Sequence, residues 1–174
     1  SEPRWLVLDG YEDEPAAFGV PPYVGFHVRY VCGVLESAGL DYDYLTVDRY
    51  RQTLKAEPES IAKRLKDCLG VVCIAGAVVP GKYLRGTPIS LKETQNLIRS
   101  LPHGTPALFG GWAIRGWKQQ GWTPLRPNLF LAVQDTDATL HHVLEQGEWK
   151  HQRRTAEQWT AWAQAGAASK AVTH

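Results

Sequence analysis

Residues able to do chemistry gather where apolar runs end. "PALFGGW" closes on Gly110, Gly111 and Trp112, and "GVVCIAG" closes on Ala75 and Gly76. The latter run continues through Ala77, Val78, Val79, Pro80, Gly81, Lys82 and Tyr83. "WLVLDGY" closes on Gly10 and Tyr11, and "NLFLAVQDT" on Gln134, Asp135 and Thr136. Glycine permits tight turns and close approach of a backbone to a ligand, so the Gly110-Gly111 pair has two readings. It marks a turn, or it leaves room beside Gly76 for a flat group lying across the ends of the runs. Lys82 and Arg85 suit an anionic group, whereas Val78, Val79 and Pro80 offer nothing to a phosphate. The expected ligand is large and apolar as well as polar.

Other chemistries lack their motifs. The full P-loop motif GxxxxGK[ST] does not occur, since "GAVVPGK" from Gly76 to Lys82 is followed by Tyr83 rather than Ser or Thr; GxGxxG is absent, there is no GxSxG elbow, and there is no HExxH. Residues 10 to 23 contain no serine or threonine to cradle a flavin or nucleotide phosphate. His141 and His142 are adjacent on a helical stretch and face different directions, as surface or half-buried residues do. His27, on the first helix near the same edge, reads as a helix-surface residue or as a contact. Glu12, Asp13 and Glu14 form an acidic cluster on a loop, which reads as solvated rather than as a cation site. No catalytic set and no metal-ligating set is expected within this chain.

The elements that position these residues follow from periodicity. Strands are expected at Trp5 to Leu8, Asp43 to Thr46, Gly70 to Gly76, Pro106 to Gly111 and Asn128 to Val133. The third is a continuous apolar run of the kind buried on both faces. Helices fall between them. The first carries Phe26, Tyr30, Val34 and Leu35 on one side and stops at Gly39. "SIAKRLKDCL" spaces Ile61, Leu65 and Cys68 helically. "SLKETQNLIRSL" opens with a Ser90/Glu93 capping box and is expected to bury Leu91, Thr94, Leu97 and Ile98. "DTDATLHHVLEQG" starts a helix at Thr136 or Asp137 and ends it at Gly147. Strand and helix in alternation predict an α/β fold, a doubly wound five-stranded parallel sheet of order 2-1-3-4-5. Ligands of such sheets bind beyond the carboxyl ends of the strands, near the switch point between the first and third. Those ends are where the glycines fall.

Composition agrees. At 174 residues the chain suits one compact domain, and a net charge of +1 with no run of like charge longer than a few residues argues against nucleic acid as a partner. Cys32, Cys68 and Cys73 are three thiols in apolar contexts without metal-type spacing, expected to be reduced core residues. The opening "SEPRWLVLDG" has no basic region followed by a long apolar one, and no stretch approaches the roughly 18 apolar residues of a membrane span. A soluble, cytoplasmic protein without a membrane partner is expected.

With "IAGAVVPG" after the third strand and "FGGW" after the fourth, residues 4 to 147 resemble the cobalamin-binding domain family. The resemblance implies a flavodoxin-like (Rossmann-like) domain over residues 1–147. The cofactor's nucleotide tail would descend among the strand ends, close to Gly110 and Gly111, and its corrin ring would lie across the top. The residues this assigns to cobalamin are Gly10, Tyr11, Ala75, Gly76, Ala77, Val78, Val79, Pro80, Gly81, Lys82, Tyr83, Gly110, Gly111, Trp112, Gln134 and Asp135. The best-known branch has an Asp-x-His-x-x-Gly motif after the first strand, whose histidine ligates cobalt. Here "DGYEDEPAAFG" contains no histidine, so no protein ligand to cobalt is expected from that loop.

The combination of "LDGYEDEPAAFGVPPY", "VPGKYLRGTP" and the closing "WAQAGAASKAVTH" is similar to the amino-terminal domain of cobalamin-dependent radical SAM enzymes. That resemblance implies a module that binds cobalamin without performing the radical step. A radical SAM domain in cis, carrying S-adenosylmethionine and an iron-sulfur cluster, would then supply the chemistry, methyl transfer or a related radical reaction. Residues 148–174, with Trp149, Trp159 and Trp162 at partly helical spacing, would be a linker helix packing onto that domain, or an amphipathic helix covering the sheet. The rival reading is a cofactor-free flavodoxin-like interaction or regulatory domain whose apolar loops are a protein interface.

Overall fold

The structure is a computed structural model that describes residues 3–10, 26–76, 89–111, 114, 121–123, 126–132 and 135–167. Its sheet contains β1 (Trp5–Gly10), β2 (Tyr42–Thr46), β3 (Gly70–Ala75), β4 (Ala107–Gly110), β5 (Gly121–Thr123) and β6 (Arg126–Leu131), in the order β2-β1-β3-β4-β6-β5. Five of these strands run parallel in the expected 2-1-3-4-5 arrangement, with β6 as the fifth. The addition is β5, an antiparallel edge strand paired with β6, too short for a sequence pattern to announce.

Register explains the two-sided core. Leu8, Cys73, Phe109 and Leu131 lie in one cross-strand row, and Val7, Val72, Leu108 and Phe130 in the next. Successive side chains point to opposite faces, so each row needs its own layer of helices. On the first face sit α2 (Val47–Ala56), α3 (Pro58–Asp67) and α4 (Leu91–Ser100), which bring Val47, Tyr50, Ile61, Leu65, Leu97 and Ile98 against Leu8 and Phe109. On the second sit α1 (Phe26–Ser37), α5 (Thr136–Gln146) and α6 (Ala156–Ala167), whose Val31, Leu35, Leu140 and Trp162 join Val7 and Leu108.

Local signals set most boundaries. The Ser90/Glu93 capping box forms at 3.1 Å in both directions, satisfying otherwise orphan amides at the start of α4. Gly147 caps α5 at φ 68°, a conformation that favours glycine. Past the end of α1, Leu40 N–H donates to the Leu35 carbonyl at 3.0 Å beside a left-handed Gly39. Leu91 departs from expectation. It is 52% exposed, because the first turn of α4 projects it away from the packed stripe of Thr94, Leu97 and Ile98. Helix α2 was not anticipated either, since Val47 and Tyr50 are its only buried residues and leave a weak apolar stripe.

Helix α1 is buried on two sides: Val28, Tyr30, Val31, Cys32, Val34 and Leu35 all leave solvent. A helix apolar on more than one face must be covered twice, and α6 supplies the second cover. A Cβ on Gly33 would strike the Trp162 backbone, and one on Gly166 would strike the Arg29 backbone, so these two glycines let the helices cross in close contact. Residues 148–155 reach α6 along the sheet, placing Trp149 and His151 against Phe130 with ring centroids 5.9 and 4.9 Å apart. Cys32 and Cys73 are buried free thiols and Cys68 is half-buried; burial raises the pKa of both Cys73 and Cys68, as expected of core thiols.

Candidate functional site: the carboxyl edge of the sheet

Parallel pairing fixes which strand ends are neighbours. Gly10 lies opposite Ala75, and Ile74 lies opposite Gly110, so Gly10, Ala75, Gly76, Gly110 and Gly111 follow one another across the β1, β3 and β4 ends. Asp135 stands one strand further on, as the residue preceding α5. These six candidates are brought to one edge, where the strand order reverses between β1 and β3. Tyr11, Ala77, Val78, Val79, Pro80, Gly81, Lys82, Tyr83, Trp112 and Gln134 lie outside the described residues.

The physical reason for the glycines differs from the expectation. A Cβ on Gly110 would fall on the Thr136 side chain, and one on Gly10 would meet the Ile74 carbonyl and the Ile89 side chain. Gly111 has φ 99° and faces the Ala75 backbone, so the turn reading of the pair accounts for it. The space beside these three Cα atoms is occupied by the protein itself. Their bareness lets β1, β3, β4 and α5 close together.

Polar groups at this edge fall into two sets. Asp9, on the second face near the end of β1, is 4% exposed, and its Oδ2 accepts from the Tyr44 hydroxyl at 2.6 Å. The sequence reading passed over Asp9, although a carboxylate near the end of an apolar strand was a usable signal. The second set surrounds the first turn of α5. Asp135 Oδ2 accepts from the Arg154 backbone N–H at 2.7 Å, and Asp137 Oδ2 accepts from Arg154 Nε at 2.8 Å. Arg154 Nη2 lies 3.2 Å from Asp135 Oδ1, and the guanidinium sits 4.6 Å from the Tyr30 ring centroid and 5.1 Å from that of Trp159. Burial raises the Asp137 pKa while Arg154 pulls it down. Thr136 is fully buried, and its hydroxyl has no hydrogen-bond partner among the described residues.

Asp135 was expected to face a cofactor; it is engaged by Arg154, a residue the sequence reading did not single out. Their 19-residue separation, with no periodic relation, hides the pair. His141 and His142 are half-buried: His141 packs against Trp162 with centroids 5.3 Å apart, and His142 Nε2 lies 3.3 Å from Glu148. Among the described residues, no group of three or more His, Cys, Asp or Glu is placed to hold a metal ion, and no helix is long and apolar enough to cross a membrane.

No family model matches the chain, and no solved structure matches it. The chain is similar to an uncharacterized protein of Methanocaldococcus jannaschii, 32% identical over 150 residues, which cover 83% of this chain and 26% of the relative. It is also similar to an uncharacterized protein of Archaeoglobus fulgidus, 47% identical over 87 residues, or 50% of this chain and 16% of the relative. The chain thus spans about a quarter or less of the relatives it matches.

Proposed function

We propose that this chain binds cobalamin at the carboxyl edge of its sheet and is the cofactor-holding module of a longer cytoplasmic enzyme. The observation that carries the reading is the row Gly10, Ala75, Gly76, Gly110 and Gly111 at the switch point of a 2-1-3-4-5 sheet. In the resembling family, small residues after the third and fourth strands take the cofactor. The residues present suit a corrinoid in one respect, the small residues that crowd the rim, and a nucleotide tail would enter only once the Thr136 side chain moves from Gly110. When bound, cobalamin supplies methyl-transfer or radical chemistry. This chain's residues bind and orient it.

The matched relatives support a modular reading, because a segment similar to this chain occupies about a quarter of the Methanocaldococcus protein and leaves room for other domains. In the proposed enzyme a radical SAM domain in cis holds S-adenosylmethionine and the iron-sulfur cluster, and methyl transfer is the leading reaction. The loop residues Tyr11, Ala77 to Tyr83, Trp112 and Gln134 complete the proposed contacts.

A second reading has its own observation. Thr136, Ile89 and the Ala75 backbone fill the space beside the strand-end glycines, as a cofactor-free interaction domain requires. Incubation with hydroxocobalamin followed by gel filtration separates the two. Corrin absorbance that co-elutes with the protein supports the module; protein eluting colourless supports the interaction domain.

A further inference from the structure

We propose that Arg154 is a latch holding residues 148–167 on the domain as a unit that opens while the sheet stays folded. The unit is held on α1 at a close helix crossing, yet few of its residues are fully buried: in α6 these are Trp162, which joins the second-face core, and Gly166. Trp159 is 51% exposed, and residues 148–155 carry no helix or strand. Segments with few buried apolar contacts open at lower free energy than the core.

Arg154 concentrates the specific contacts. Its guanidinium packs against Tyr30 of α1 and Trp159 of α6, whose rings meet edge-to-face with centroids 5.7 Å apart, and it reaches Asp135 and Asp137 at the start of α5. One residue therefore joins three helices across the irregular segment. The network is incompletely satisfied among the described residues: Asp137 Oδ1 has no hydrogen-bond partner, and Arg154 Nη2 meets Asp135 Oδ1 at 3.2 Å as an ion pair without hydrogen-bond geometry. A half-satisfied buried charge network gives up less on opening to water than a complete one does.

The latch also touches the candidate edge. Asp135 and Thr136 begin α5, and Thr136 covers Gly110. An occupant that draws Asp135 away from Arg154 loosens residues 148–167, and by reciprocity an open segment frees Asp135 for the occupant. The latch itself needs no cofactor, so its test uses the protein alone and leaves the cobalamin reading untouched.

The test is native-state hydrogen exchange of the full chain across sub-denaturing urea. In the wild type, the amides of Trp159 to Trp162 share one opening free energy with a urea dependence smaller than that of the β1 and β3 amides. Arg154→Gln speeds their exchange at least tenfold. If Arg154→Gln does not fold, Asp135→Asn/Asp137→Asn, which removes both carboxylates at nearly constant volume, produces the same acceleration. Exchange of the α6 amides only together with the sheet at every urea concentration overturns the proposal. So does a change of less than twofold in the variant that folds.

Discussion

Arg154 Nε donates to Asp137 Oδ2 at 2.8 Å, and the two side chains are 9% and 1% exposed. Removing one member of a buried pair leaves an uncompensated charge, which in general costs about 3–5 kcal/mol; loss of Arg154 strands Asp137, whereas Asp137→Asn leaves Arg154 paired with Asp135. Arg154→Met is therefore expected to lower stability in urea denaturation by more than Asp137→Asn, by about 2 kcal/mol, with opening of residues 148–167 limiting the loss. Equal losses would show that the pair contributes by shape rather than charge.

The pH dependence of that difference has a definite sign. Burial raises the Asp137 pKa, so its ionised form is the disfavoured one in the folded protein and is relieved as pH falls. Without Arg154 the carboxylate has lost the partner that held its pKa down. The stability deficit of Arg154→Met relative to wild type is expected to shrink as pH falls from neutral toward the usual carboxylate range, through the raised Asp137 pKa; a deficit constant from neutral to acid pH would contradict the assignment.

Arg51 grips Glu93 through Nε at 2.7 Å and Nη2 at 2.8 Å, tying α2 to α4 while Glu93 also closes the capping box. The Arg51 hydrogen bonds, chiefly, hold the Glu93 pKa down to about 2. A depressed carboxylate pKa contributes stability above the unfolded value, and that contribution is lost as pH falls toward the folded one. Glu93→Gln is expected to cost about 1 kcal/mol at neutral pH. The difference from wild type should fade between about pH 4.5 and 2.

At Gly33 an added methyl would strike the Trp162 backbone, which cannot swing aside as a side-chain tip can. Gly33→Ala is expected to destabilise by about 1–3 kcal/mol, the range for overpacking a well-filled interior. Ala in place of Gly104, where nothing lies within 4 Å, is the control, with little change expected. Similar midpoints for both variants in thermal melts would mean that α6 does not ride on α1 as closely as described.

These predictions draw on contacts that the sequence displayed unevenly. Continuous apolar runs such as "GVVCIA" announce buried parallel strands, because both faces of such a strand must be apolar. The sheet order followed from the alternation of strands with amphipathic helices, and the Ser90/Glu93 box and Gly147 are local signals spanning a few residues. Helix α2 and β5 escaped because one buries two residues and the other is three residues long. At the site, parallel pairing brought the expected small residues to one edge. Why Gly110 and Gly10 must be small depended on Thr136 and Ile89, tertiary neighbours that no spacing rule identifies. The pairing of Arg154 with Asp135 was invisible for the same reason.

The strand-end packing bears on how a corrinoid would sit. With Thr136 over Gly110, a nucleotide tail placed among the strand ends requires that side chain to move. Thr136→Ala, which removes the methyl and hydroxyl, is expected to leave hydroxocobalamin affinity unchanged or raise it. Affinity for cobinamide, which lacks the tail, should not change. Loss of cobalamin binding in Thr136→Ala would place the tail elsewhere.

The central claim is tested most directly by titrating the protein with hydroxocobalamin under equilibrium dialysis, following the corrin absorbance. Saturable binding of one corrinoid per chain is expected, weaker for cobinamide than for cobalamin. Partition of hydroxocobalamin equally across the membrane at every protein concentration would contradict it.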